Sequence, residues 1–82
     1  MIEYSRLRSL TARQFIAALE RDGFVLSRQK GSHRHYKHRD GRRVTVSFHR
    51  SSETFGVGLL RKMIVVEARW SEKDLVRLGL FD

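Results

Sequence analysis

The sequence contains no cysteine and no proline, only nine acidic residues, and no long apolar run. Without cysteine there is neither a disulfide framework nor a thiolate metal site, and the absence fits a reducing, intracellular setting. No apolar stretch approaches the ~20 residues that a membrane-spanning helix needs. The opening Met1-Ile2-Glu3-Tyr4 also lacks the charged-then-apolar start of a signal peptide. With proline missing, glycine does the punctuation. The scarcity of acids leaves 17 Lys and Arg against 9 Asp and Glu, a formal net charge of +8 over 82 residues. That length implies a single domain, 1–82, and excludes two-lobed enzyme folds. Any chemistry must run on a few side chains at the surface of a minimal scaffold.

The positive charge is concentrated. From Arg28 to Arg50 the chain carries eight Lys and Arg and all four His against one acid, Asp40. Such a stretch marks a polyanionic partner: nucleic acid, an acidic protein or anionic lipid.

Residues 1–10 read as a loosely attached N-terminal arm or an irregular lead-in, 11–67 as the core and 68–82 as a helical tail. Thr11 and Gln14 have the spacing of a capping box, in which each side chain satisfies a free amide at a helix start. Phe15, Ile16, Ala18 and Leu19 follow at helical spacing, and Gly23 stops the helix, so the first element runs from Ala12 to Asp22. Three strand segments come next, beginning at Phe24, His33 and Arg42 and separated by turns at Lys30-Gly31-Ser32 and Arg39-Asp40-Gly41. In the third, Val44, Val46 and Phe48 alternate with Thr45, Ser47 and His49.

The register follows from that alternation. A two-residue turn at Asp40-Gly41 would set Tyr36 opposite Thr45 and mix core and solvent faces. A three-residue loop with Gly41 left-handed sets Tyr36 opposite Val44, His35 opposite Thr45 and His33 opposite Ser47. His33, His35, Lys37, Thr45, Ser47 and His49 then share one open face. A second amphipathic helix is expected from about Gly58 to Ala68, although Ile64-Val65-Val66 also permits a strand at its end. Ser71 with Asp74 caps a short last helix that Gly79 ends. The fold class is α+β: an α-β-β-β-α domain with a three-stranded antiparallel sheet, helices on one face and a short C-terminal helix. Phe15, Leu19, Phe24, Val44, Val46, Leu60 and Ile64 form the expected core. Trp70, before the capping Ser71, reads as a staple on the last helix rather than a stacking platform.

The open face suggests its own chemistry. His33 and His35 face the same side, but zinc wants at least three protein ligands, and only His49 offers a third, so no metal site is expected. There is no phosphate-binding glycine loop and no Ser-His-Asp set. What is left is imidazole in a cationic field. RNA is cut without metal when a base removes the 2′-OH proton, the alkoxide attacks the neighbouring phosphate, and cations stabilise its oxygens. His33 beside Lys30 and Arg28 supplies such a set, with His49 as a possible second proton carrier. The alternative from the residues alone is a non-catalytic RNA-binding module whose exposed His do no chemistry.

The run Asp22-Gly23-Phe24-Val25-Leu26, then Arg28-Gln29-Lys30-Gly31-Ser32-His33 and Tyr36-Lys37-His38, resembles the HicA toxin family. Asp40-Gly41-Arg42-Arg43-Val44-Thr45-Val46, Phe48-His49 and Leu59-Leu60-Arg61-Lys62-Met63-Ile64 extend the likeness, which covers about Phe15 to Glu67. The resemblance implies a fold similar to double-stranded-RNA-binding domains and a toxin of a type II toxin–antitoxin system. It further implies a prokaryotic, cytoplasmic endoribonuclease that needs no cofactor, cleaves mRNA and arrests translation. His33 would be catalytic, with Arg28, Lys30, Gly31, Ser32, His35 and Lys37 holding RNA. The implied partner is a HicB-like antitoxin that covers the site, and this chain alone would not read DNA sequence or bind membrane. Two departures from the family pattern stand out. Ser47 replaces a usual proline, and Ser52 to Gly58 replaces a Pro-Lys-Gly-Thr-like entry to the second helix with a segment expected to be more flexible.

Overall fold

The capping box forms as the spacing dictates. In the computed structural model, which describes residues 2–81, Thr11 Oγ1 accepts from Gln14 N–H, and Gln14 Oε1 accepts from Thr11 N–H. Helix α1 spans Ala12–Arg21 and buries Ala12, Phe15, Ala18 and Leu19. Gly23 ends it at φ +103°, with Gly23 N–H donating to Glu20 and Phe24 N–H to Leu19. That pairing satisfies two of the carbonyls a helix end leaves open.

Strands β1 (Val25–Lys30), β2 (His33–Lys37) and β3 (Arg43–Ser47) follow in one antiparallel sheet of order β1-β2-β3. The three-residue loop is as expected: His38 N–H donates to Arg42, Gly41 N–H to His38, and Gly41 sits at φ +100°. Tyr36 therefore faces Val44, His35 faces Thr45 and His33 faces Ser47. Tyr36, Val44, Val46 and Phe48 are buried beneath the helices, as is Phe24 at the entry to β1.

Helix α2 (Val57–Arg61) continues without a break into a wider helical turn over Lys62–Glu67, so the β-branched run is helix and not strand. In that turn Ala68 N–H reaches back five residues to the Met63 carbonyl. Arg69 then takes the left-handed conformation usually left to glycine, at φ +56°. Met63, Ile64 and Ala68 are buried, while Val65 and Val66 face outward. Helix α3 (Glu72–Arg77) has the expected Ser71–Asp74 capping box and ends at left-handed Gly79.

Two expectations need correction. The N-terminal arm is not loose: a single helical turn over Tyr4–Leu7 buries Leu7, 1% exposed, and Leu10 joins the core. Arg6 lies 4.5 Å over the Phe81 ring and Arg61 5.3 Å over Tyr4, so the arm is packed between α2 and the C-terminal residues. Met1 of the arm and Asp82 of the tail lie outside the described residues. The segment from Ser52 to Gly58 is likewise anchored. Ala12 N–H donates to Glu53, Arg13 N–H to Ser51, and buried Phe55 meets Phe15 edge-on at 5.9 Å. The first turn of α1 thus finds backbone acceptors in this loop, which gives the loop a fixed course.

A polar joint that the sequence pattern does not signal holds the ends of these elements together. The Asp22 carboxylate, 8% exposed, accepts from Trp70 Nε1–H at 2.9 Å and from Arg77 at 2.8 Å, and pairs with Arg42 at 3.1 Å. Arg42 also donates to the Ala68 carbonyl at 2.7 Å and to Asp40 at 2.8 Å, and stacks over Phe24. Trp70, 3% exposed, lies among Phe15 and Phe24, a structural place and not a stacking platform.

Burial works to raise the Asp22 carboxyl, but the Trp70 hydrogen bond, then Arg77 and Arg42, outweigh it and hold the group below the ordinary carboxylate value. A carboxyl lowered by folding adds stability above its unfolded pKa, and that stability is lost as pH falls through the folded value. Asp22→Asn should therefore cost about 2–3 kcal/mol at pH 7, because it removes the negative charge with which Arg42 and Arg77 both pair. Urea unfolding at pH 7 and pH 3 checks this. The gap between wild type and variant should shrink at pH 3, and an equal gap at both would show that the charge of Asp22 is not what matters.

Candidate nucleic-acid interface

The hairpin between β1 and β2 turns on two residues, Gly31 and Ser32, with Gly31 at φ +58° and Lys30 paired to His33. A glycine at the first place of a two-residue turn supplies the twist that antiparallel strands require. From this turn the open face builds in cross-strand rows. Lys30, His33 and Ser47 form the first row, Arg28, His35 and Thr45 the second, and Val25, Lys37 and Arg43 the third.

One irregularity makes this arrangement possible. Strict alternation along β1 would put Arg28 and Lys30 on the same face as Leu26, which pairs with core-facing Tyr36. The register instead shifts between Leu26 and Arg28, with Ser27 as the extra residue. A bulge of one residue exchanges the faces of everything beyond it. It therefore moves both cations from the helix side to the open side.

His33, at the start of β2, is exposed, and a depression of about 490 Å³ is lined by Arg28, Lys30, Gly31, Ser32, His33 and His35. His35 is half-buried and shares a 3.0 Å hydrogen bond between its Nδ1 and Thr45 Oγ1, which orients the ring. A second depression, of about 280 Å³, continues along the face and includes Arg28, His35, Lys37, Arg43 and Thr45. Arg28, Lys30, Lys37 and Arg43 are exposed, and none has a carboxylate at ion-pairing distance among the described residues. The face is therefore an uncompensated cationic surface with two imidazoles along its middle strand. No group of three or more His, Asp or Glu residues suited to a metal ion occurs among the described residues.

Of the residues expected at the site, Arg28, Lys30, Gly31, Ser32, His33, His35 and Lys37 come together. His49 does not join them. It follows the end of β3, where its backbone N–H is held by the Glu53 carboxylate, and it lines a separate depression with Arg13, Ile16, Glu20, Arg34 and Phe48 on the α1 side. Regular alternation would carry the open face on to His49, but the strand stops at Ser47 and the Glu53 contacts turn the chain. Arg43 was not expected at the site. The signal for it lay in the register, since the pairing that sets His35 against Thr45 also sets Lys37 against Arg43.

The outer edge of β3 is covered. Glu67 accepts from Thr45 N–H at 3.2 Å, so the end of the second helix caps that strand. Every residue of β1 is exposed at the opposite edge.

Fold and face together define a small α+β domain built to present a positive, histidine-bearing sheet to a polyanion. Residues 12–68 match the family model described as the HicA toxin of bacterial toxin-antitoxin, and the chain belongs to that family. A search of curated proteins gives no match. Membership makes the chain the toxin of a toxin–antitoxin pair in a family whose members are generally mRNA-cleaving RNases, with RNA as substrate class and an antitoxin as partner. No helix among the described residues is long and apolar enough to cross a membrane.

Because each phosphate contact releases counterions, RNA affinity should fall steeply with salt. Arg28→Gln and Lys30→Gln should each flatten the plot of log affinity against log salt for single-stranded RNA by about 0.7. Lys73→Gln on α3 removes the same charge elsewhere and should leave the slope alone. Fluorescence anisotropy across a salt series measures it, and slopes unchanged by both face variants would take the RNA path off this surface.

Proposed function

We propose that the chain is a metal-independent endoribonuclease that cleaves mRNA in the cytoplasm and arrests translation, with His33 as general base. The observation that supports this most directly is the setting of His33. It is an exposed imidazole at a strand start, with Lys30 directly across, Arg28 in the next row and the Gly31-Ser32 turn beside it. Imidazole is the side chain that exchanges protons near neutrality, so it can take a proton from a 2′-OH and be restored without a metal.

The step balances as follows. His33 accepts the 2′-OH proton, the 2′ oxygen bonds to the adjacent phosphorus, and the bond from phosphorus to the 5′ oxygen breaks. Solvent on this open face protonates the departing oxygen, since His49 lies in another depression. The products are a 2′,3′-cyclic phosphate and a 5′-OH end. Lys30 and Arg28 offset the charge that builds on the phosphate oxygens, the kind of preorganised stabilisation that carries much of such catalysis. His35 and Lys37 hold the strand alongside. The antitoxin fits a HicB-like, acidic protein that covers His33 and meets the cations of the three rows.

Cleavage of an end-labelled, unstructured RNA in EDTA tests this reading. Wild type should leave 5′-OH ends, and His33→Ala should lose about 10²–10⁴ in rate while keeping its affinity for RNA. If neither protein cuts and both bind in a salt-sensitive way, the chain is an RNA-binding module and His33 has no catalytic role.

A further inference from the structure

Beyond the depression around His33, the open face holds a second set of cations with no part in bond cleavage. Lys37 and Arg43 are cross-strand partners in the third row, both exposed, and Arg28 approaches them from the second. The depression they line shares Arg28 and His35 with the one around His33. The two are therefore adjoining halves of one track along β2. From His33 to His35, and again from His35 to Lys37, the strand advances two residues, ~6.7 Å. Each step is close to the distance between neighbouring phosphates of an extended single strand, so the third row lies two phosphates, ~13 Å, from His33. Among the described residues the charges in the third row have no carboxylate partner, and guanidinium and ammonium groups set side by side suit a phosphate oxygen.

We infer that Lys37 and Arg43 form a second phosphate subsite that holds the phosphodiester two along from the one at His33, so that the substrate is a strand with at least three consecutive phosphates. This rests on the reading of His33 as the cleavage site. It adds Arg43 as a residue that determines substrate length. The ring of His35, fixed by Thr45, lies midway between the two subsites, in the row of the intervening phosphate. Val25, 67% exposed at the β1 end of the third row, gives the track an apolar margin against which a base or ribose can lie.

The test uses 2′-O-methyl oligonucleotides, which bind but cannot be cut. A trinucleotide with two phosphates and a tetranucleotide with three are titrated into the whole protein and followed by NMR. For wild type the third phosphate should improve affinity about tenfold, the scale of one charge-assisted contact. Arg43→Gln should remove most of that gain while leaving trinucleotide affinity within about twofold, as expected for a contact that the shorter ligand does not reach. Lys73→Gln, with the same loss of charge on α3, should keep the gain. Cleavage of unmodified RNA should follow the same pattern, with KM raised and kcat little changed in Arg43→Gln.

An equal effect of Arg43→Gln on both ligands, no effect on either, or an equal effect of Lys73→Gln would overturn the subsite. Failure of wild type to cut RNA, with the tenfold step present and sensitive to Arg43, would instead remove the catalytic reading of His33 and leave the subsite standing. Cutting without the step would do the reverse.

Discussion

The ion pair between Asp22 and Arg42 joins parts of the chain that the hydrophobic core alone would leave free to slide. Asp22 caps α1, Arg42 leaves the β2–β3 loop, Trp70 follows the second helix, and Arg77 lies on α3. Apolar packing is strong but non-directional, so a small domain with a helix at each end of a sheet needs directional contacts to fix the angle between them. The carboxylate of Asp22 provides three such contacts at one point, and Arg42 provides further ones to Ala68 and Asp40. Removing a charge from water costs free energy unless every lone pair finds a donor, and at Asp22 the donors are present. The register of β3 against β2 begins one residue after Arg42, so this joint also fixes where the rows of the open face start.

From that fixed register a single extra residue decides the character of the surface. The Ser27 bulge turns Arg28 and Lys30 outward, beside His35 and His33, and leaves Leu26 opposite Tyr36. Without it both cations would share the face of Leu26 and point toward the helices. The resulting face places like charges within a few ångströms of one another, an arrangement that works against the folded state in the absence of a partner. It persists because the opposite face carries the stability. Tyr36, Val44, Val46 and Phe48 lie under Phe15, Leu19, Ile64 and Trp70, and none of these belongs to the track. Core and site occupy opposite sides of the same three strands.

That division explains what could be read from the sequence. The helices were legible because their caps are local: Thr11 with Gln14, Ser71 with Asp74, and glycines 23 and 79 at the ends. The pairing of β2 and β3 was legible because only one loop length puts Tyr36 against Val44, and the rows containing His33 and His35 follow from it. The bulge at Ser27 was not, since nothing in Val25-Leu26-Ser27-Arg28 distinguishes an extra residue from regular alternation until the partner strand is in place. His49 was misplaced because period-two alternation has no sign for where a strand stops, and the Glu53 carboxylate that turns the chain is four residues away. The packed arm and the Asp22 joint were hidden for a related reason. Leu7 and Leu10 look like isolated leucines, and Asp22, Arg42 and Arg77 are scattered charges, until tertiary structure brings their partners close.

The same charges also constrain how the toxin can be silenced. A face with several unpaired cations in three rows is stabilised by any polyanion that binds it, whether RNA or an acidic protein surface, because either one relieves the same repulsion. An antitoxin that covers these rows need not distort the fold or reach the core. It only has to occupy the cations, and RNA is then excluded by competition for the same charges. His33 lies at the end of the track beside the exposed Gly31 turn, so a partner seated on Lys37 and Arg43 alone would weaken RNA binding yet leave the imidazole open. On the proposed reading of His33, full neutralisation would take contact along the whole length of β2, from the Gly31-Ser32 turn to the third row, a span of about 13 Å by strand geometry.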